Sequence, residues 1–373
     1  MAVAVIGSYL IYRILFFKSL LFKPLFGAIC ILALILCFFG VKELKNKSKS
    51  KILPYDVSVA VGAYQLFRNE SFSQNLYRAK RLPLVSSKLK AALNIVVIIN
   101  ESWDKLYVPF YTGQNYKAIY PFLNNLVRQK GVFVFQHAFS NSSATDVSVP
   151  SIISGVGSHE RNIKLHTLPL LWDLAHAAGM KTAYISSQRA SWNGMKTFMN
   201  SPGPDFFFSA DEIPSPIVND LGIDDLEAVK KVQDVLSKLK KEDNFLLVYN
   251  TNALHAPFQN NSISLHAADF GDRRKNANYI VDQTIQKIFE YFRDSGRLES
   301  TLFVITADHG LGRGISNGSR IFSYYDEFIN IPFVVCLPPN KQLFNDSMIQ
   351  NLIVNSKEKN IANIDIGSNP FFS

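Results

Sequence analysis

From Asn94 onward the hydrophobic positions fall into short, β-branched runs separated by amphipathic stretches. NIVVII (94–99), VFVF (132–135), TAYISS (182–187), NFLLVYN (244–250), LFVITA (302–307) and FVVCL (333–337) predict strands. Helices are predicted near 118–129, from about 146, over LPLLWDLAHAAG (168–179), near 224–240 and near 276–295. Continuous apolar strands alternating with helices predict an α/β fold, a doubly wound and mostly parallel sheet sandwiched by helices. Ligands in such sheets collect at the carboxyl ends of the strands.

The first 93 residues follow another pattern. Pro24 to Val41 is an uncharged run of 18 residues between Lys23 and Lys42, which at 1.5 Å per residue nearly spans a hydrocarbon core of about 30 Å. A second apolar stretch, Met1 to Phe17, is broken only by Arg13. Residues 1–41 are therefore expected to form a transmembrane anchor of one apolar helix or two, and residues 42–93 a basic, amphipathic linker. Residues 94–373 are expected to form the main folded body.

Charge sharpens this division. The chain of 373 residues carries a formal net charge of +9, but residues 1–93 hold 14 Lys and Arg against 3 acids, and the remaining 280 hold 25 against 27. The basicity belongs to the N-terminal segment, which points to a membrane surface and away from nucleic acid. Five lysines in VKELKNKSKSK follow the apolar run; taken alone, they would put the body in the cytoplasm. Of three cysteines, Cys30 and Cys37 lie in the apolar run and Cys336 in a predicted strand. No pair is placed to bridge the body.

Chemistry-bearing residues follow three of the predicted strands. Glu101 comes after NIVVIIN, His255 after FLLVYNTNAL, and Asp308-His309-Gly310 after LFVITA. A carboxylate and an imidazole directly after a buried strand suit a divalent metal, and the glycine permits close backbone approach. The hydroxyl-rich string SNSSATDVSVPS (140–151) precedes a predicted helix. It is compatible with helix capping, and with a hydroxyl nucleophile beside the anion-attracting start of a helix.

Taken together, IVVIINES, SxxxATDVSVPS, the strand-His element and VITADHG resemble the alkaline phosphatase/sulfatase superfamily. Within it they are most similar to the membrane-anchored phosphoethanolamine transferases that modify lipid A and envelope glycans. PFLNNL (121–126) and LWDLAHAAGMKTAYISSQ (171–188) resemble segments of the same group, and the likeness runs over roughly residues 20–366. The resemblance implies an alkaline phosphatase-like fold and transfer of phosphoethanolamine from phosphatidylethanolamine to an envelope glycolipid or glycan. It implies Thr145 as nucleophile, passing through a phospho-threonine intermediate, and Glu101, Thr145, Asp308 and His309 as ligands of Zn2+ or, alternatively, Mn2+. It implies His255 as a catalytic and substrate-binding residue that contacts the substrate phosphate or a second metal. Trp192, Asn193 and Arg189, after a strand on the same edge, are weaker substrate-binding candidates. A monomer in the bacterial inner membrane is expected, its catalytic domain facing the periplasm against the direction of the lysine count.

Departures from the group's pattern are also legible. Fewer apolar spans precede the body, and the body holds one cysteine. No histidine follows DHG in GLGRGISNGSRIFSYYDE, where Arg313 or Arg320 would have to supply phosphate contacts. The end, IANIDIGSNPFFS, leads to the expectation of a shortened C-terminus with reduced stability. Thr145-Asp146-Val147-Ser148 lacks the Cys/Ser-x-Pro-x-Arg string of formylglycine sulfatases. The alternatives are a phosphoglycerol transferase or phosphodiesterase on the same fold, and an inactive, truncated homologue.

Overall fold

A computed structural model of the chain describes residues 81–82, 84–86, 92–113, 117–160, 162–200, 202–258, 270–311, 325–338 and 346–357. The expected anchor over 1–41, Arg313, Arg320 and the C-terminal string from Ile361 lie outside the described residues. Among the described residues no helix is long and apolar enough to cross a membrane. The last part of the stretch expected as linker packs on the body. Arg81 donates to the carbonyls of Leu168 and Phe198, and Leu82 N–H donates to Thr167 O.

Seven strands form one sheet in the order β2-β7-β6-β1-β5-β3-β4. They are β1 (Asn94–Asn100), β2 (Val132–Val134), β3 (Lys181–Ser186), β4 (Phe206–Phe208), β5 (Phe245–Asn250), β6 (Thr301–Ala307) and β7 (Phe333–Cys336). The pairs among β6, β1, β5, β3 and β4 are parallel, and β7 runs antiparallel to both its neighbours. The helices that matter below are α1 (Pro121–Leu126), α2 (Thr145–Ser154), α3 (Leu171–Ala177), α4 (Asp225–Ala228), α5 (Lys230–Leu236) and α6 (Arg273–Asp294).

Strand residues alternate between faces, and both faces are covered. Val96 and Ile98 join one buried cluster with Leu247, Phe303 and the α6 residues Ile280, Val281, Ile285 and Ile288. Val97 and Ile99 join another with Val248, Tyr184, Val149 and Ile153 of α2, and Trp172 of α3. Burial on two sides is why these strands read as unbroken apolar runs.

Three details differ from the sequence expectation. β4 was not anticipated, because FFF is too short to show a period. The helix expected over 224–240 is two helices that meet at Val229. The reversal of β7 has no counterpart in the apolar pattern, which is the same for either strand direction.

Helix α1 shows how tertiary contacts replace local signals. Its N-cap, Tyr120, offers no capping side chain, and Pro121 occupies the first position. Asp282 of α6 fills that role, accepting from the amides of Phe122 and Leu123 at 2.9 and 2.8 Å. Burial pushes the Asp282 carboxyl up to about 7 against the pull of these two amides. The folded state therefore binds more protons here than the unfolded state between about pH 4 and 7. The associated stability is complete below pH 4 and is lost as pH rises through 7, by at most roughly 4 kcal/mol. Asp282→Asn, which cannot ionise and leaves one amide without an acceptor, is expected to lower stability by about 1–3 kcal/mol at low pH and to flatten the pH slope. Urea unfolding of both proteins from pH 4 to 8 measures the two effects.

Candidate active site and metal centre

Neighbouring strand ends assemble the centre. β1 and β6 are parallel with Asn100 opposite Ala307, so the residues that follow them emerge side by side. Those residues are Glu101, Asp308 and His309, all fully buried. The turn is locked by backbone: Asp308 N–H donates to Asn100 O at 3.2 Å and Ser102 N–H to Asp308 Oδ1 at 2.9 Å. Gly310 is needed here, since its amide donates to Phe328 O at 2.7 Å and a Cβ would collide with the Glu327 carbonyl.

Thr145, the first residue of α2, faces this cluster. Its Oγ1 donates to Glu101 Oε2 at 3.0 Å and lies 3.1 Å from His309 Nε2. The ligand atoms of Glu101, Asp308 and His309 lie within 4.8 Å of one another. His309 Nδ1 is 2.8 Å from the Gly310 carbonyl. A carbonyl only accepts, so Nδ1 carries the proton and Nε2 of the neutral ring presents a lone pair. One hydroxyl proton on Thr145 thus faces two acceptors, and Asp308 Oδ2 is buried with no hydrogen-bond donor.

Electrostatics point the same way. Burial pushes the Asp308 carboxyl well above its usual range, and the adjacent Glu101 charge adds to the rise. Burial also acts to raise Glu101, while positive charge on His309 or His255 and the hydrogen bond from the Ser102 hydroxyl act to lower it. Two buried carboxylates this close share one proton unless a cation lies between them. Four converging acceptors, two carboxylate, one imidazole and one hydroxyl, with an orphaned oxygen among them, fit a divalent metal.

The hydroxyl cluster before α2 is divided in its roles. The N-cap is Ala144, which has no capping side chain, so capping does not explain the string. Ser148 donates to Ser142 O at 3.0 Å, and Ser140 ties the loop to the Asp308 carbonyl. Thr145 is the member that reaches the carboxylates. The other wall comes from the loop after β3. Gln188, absent from the sequence expectations, donates from Nε2 to Glu101 Oε2 at 3.0 Å and to Thr251 O at 2.7 Å. An antiparallel bridge to Gly222 fixes its backbone. Its place one residue before Arg189, after the same strand, was the available signal. Farther along the loop Asn193 donates to Asp146 Oδ2 at 2.7 Å, and Trp192 is 43% exposed. Arg189 is exposed; its backbone amide pairs with Leu221 O at 2.8 Å.

His255 follows β5 and is partly buried. Its Nδ1 lies 3.1 Å from Asp220 Oδ1 but out of line for a hydrogen bond. The loop that carries it is anchored by Asp225 of α4, which accepts from the amides of Asn252 and Ala253 at 2.7 and 3.0 Å and from the Ser187 hydroxyl. Burial pushes the Asp225 carboxyl up to about 7.

The sulfatase family model matches residues 93–368. The chain is similar to the C-terminal periplasmic domain of EcEptC from Escherichia coli in complex with Zn, at 17% identity over 70% of this chain and 78% of that one, TM-score 0.57. It is similar to the integral membrane protein lipooligosaccharide phosphoethanolamine transferase A from Neisseria meningitidis, at 18% identity over 88% of this chain and 64% of that one, TM-score 0.58. It is also similar to the lipoteichoic acid synthase LtaP from Listeria monocytogenes, at 17% identity over 67% and 66%, TM-score 0.55. At these identities the likeness is one of fold, and the fold is alkaline phosphatase-like, as the motifs implied.

Burial and the Glu101 charge favour a proton on Asp308, and a metal taken up by this cluster displaces it. Zinc affinity is therefore expected to rise with pH, by up to about tenfold per pH unit, and His309→Ala to lower it by about a hundredfold or more. Calorimetric zinc titration in buffers of different ionisation enthalpy measures the proton release, and metal content after dialysis checks the variant.

Proposed function

Since the chain belongs to the sulfatase family, we propose that it is a metal-dependent phosphoethanolamine transferase that uses Thr145 as its nucleophile. The observation that carries this reading is the Thr145 hydroxyl at the start of α2, 3.0 Å from Glu101 and 3.1 Å from His309. A metal-ligating cluster with a hydroxyl inside it is the arrangement that phosphoryl transfer through a covalent enzyme intermediate requires.

Glu101, Asp308, His309 and Thr145 would hold the cation, Zn2+ or Mn2+. When bound, it supplies Lewis-acid stabilisation of charge on the phosphoryl oxygens and lowers the pKa of the hydroxyl. In the first half-reaction Thr145 Oγ1 loses its proton and bonds to phosphorus. The bond from phosphorus to the diacylglycerol oxygen breaks, and that oxygen takes up a proton. In the second half an acceptor hydroxyl bonds to phosphorus, the bond to Thr145 breaks, and Thr145 regains a proton. Transfer is thus ping-pong.

This chain's residues prepare those steps. Ser102 and Gln188 each hold one Glu101 oxygen. The Gly310 carbonyl sets the His309 tautomer. The amides of Thr145 and Asp146 open the helix, where amides have no helical acceptor and favour an anionic oxygen. His255 is assigned to the phosphoryl group, on a loop held by Asp225. Phosphatidylethanolamine is the donor and an envelope glycolipid or glycan the acceptor. The body works on the periplasmic side of the bacterial inner membrane, as a monomer.

Mass spectrometry of the full chain, expressed in a Gram-negative host, tests the proposal. A phosphoethanolamine increment on Thr145, absent from Thr145→Ala, is the expected result, and turnover of the variant is expected to fall about a thousandfold or more. A phosphoglycerol increment on Thr145 would overturn the donor assignment. No increment in folded, zinc-loaded protein would overturn the proposal.

A further inference from the structure

Asp146 stands next to the nucleophile and takes no part in the cluster around Glu101. Its carboxylate is turned toward the loop after β3, where the Asn193 amide donates to Oδ2 at 2.7 Å. Asn193 reaches it from a left-handed conformation, φ 49° and ψ 29°, which costs little for asparagine among non-glycine residues. The same loop touches Glu101 through Gln188 at its inner end. It therefore bonds to both Glu101, through Gln188, and Asp146, through Asn193. At the outer end Trp192, directly before Asn193, leaves 43% of its surface exposed.

A carboxylate at this place opposes the approach of any phosphodiester, because the transferred group is itself anionic. The opposition turns into attraction if the group also carries a cation. We propose that Asp146, held by Asn193, is the specificity determinant that selects a phosphoryl group bearing a short cationic amine over one bearing a neutral polyol. The inference rests on the function proposed above and names the part of the site that reads the donor's head group.

Asp146 follows Thr145 in the first turn of α2, and its carboxylate is held by the loop that also touches Glu101, where it attracts an ammonium carried by the phosphoryl group. The ammonium stays with the phosphoryl group transferred to Thr145, so Asp146 acts in both half-reactions. A glycerol head gains at most a neutral hydrogen bond there, which is the weaker interaction.

The test compares Asp146→Asn with the wild-type full chain, loaded with zinc, on two donors that differ only in head group, phosphatidylethanolamine and phosphatidylglycerol. Asparagine keeps an acceptor for Asn193 and removes the charge. The expected result is a fall of about tenfold or more in the ratio of kcat/KM for the ethanolamine over the glycerol donor, with the melting temperature unchanged. Asp146→Glu, which restores the charge, is expected to recover most of the ratio. In a Thr145→Ala background, Asp146→Asn is expected to weaken binding of O-phosphoethanolamine while glycerol 3-phosphate binds as well or better. A ratio unchanged within twofold, with the Thr145 adduct still forming, would overturn this inference and leave the transferase intact. No Thr145 adduct from either donor would overturn the transferase reading, and this inference with it.

Discussion

Two carboxylates buried at the ends of adjacent parallel strands are the constraint on which the site depends. Glu101 and Asp308 are fully inaccessible, and the register that sets Asn100 opposite Ala307 forces them together. Like charges in such a place are tolerated only with a shared proton or a cation. The rest of the centre follows from this. His309 must offer a lone pair and not a proton, and the Gly310 carbonyl sees to that. Thr145 must bring its oxygen to the same point, and α2 is packed on the sheet by Val149 and Ile153 so that it does.

The surrounding walls hold this arrangement rigid through contacts between loops. Gln188 spans from Glu101 to the Thr251 carbonyl, joining the loops after β3 and β5. Thr251 in turn accepts the Glu101 amide at 3.0 Å. Asp225 joins the end of β3, through Ser187, to the amides of Asn252 and Ala253. These linked hydrogen bonds favour a single geometry over many. Asp308 Oδ2, buried without a partner inside the group of Glu101, Asp308 and His309, is the atom that fits a cation.

Asp225 and Asp282 show a cost of this construction away from Glu101, Asp308 and His309. Each buries a carboxylate to fix backbone amides, one for the His255 loop and one for α1. In each, burial outweighs the amides and raises the carboxyl to about 7. The protein gains precise loop placement and gives up stability as pH rises toward neutrality.

Much of the sheet, and the clustering of Glu101, Asp308 and His309 at its edge, was legible along the chain. Strands buried on both faces leave unbroken apolar runs, and Glu101, Thr145, Asp308 and His309 are legible because each stands at a strand end or helix start, in motifs specific enough to carry a family resemblance. Gln188 escaped because a polar residue after a strand is ordinary, and only its contact with Glu101 distinguishes it. The three-residue β4 and the reversed β7 escaped because period and hydropathy carry neither short edges nor direction. The capping of α1 by Asp282, 160 residues away from Phe122, and the turn of Asp146 toward Asn193 were decided only by tertiary structure. Both depend on which distant backbone reaches a side chain, and that information lies in packing, not in any local pattern of residues.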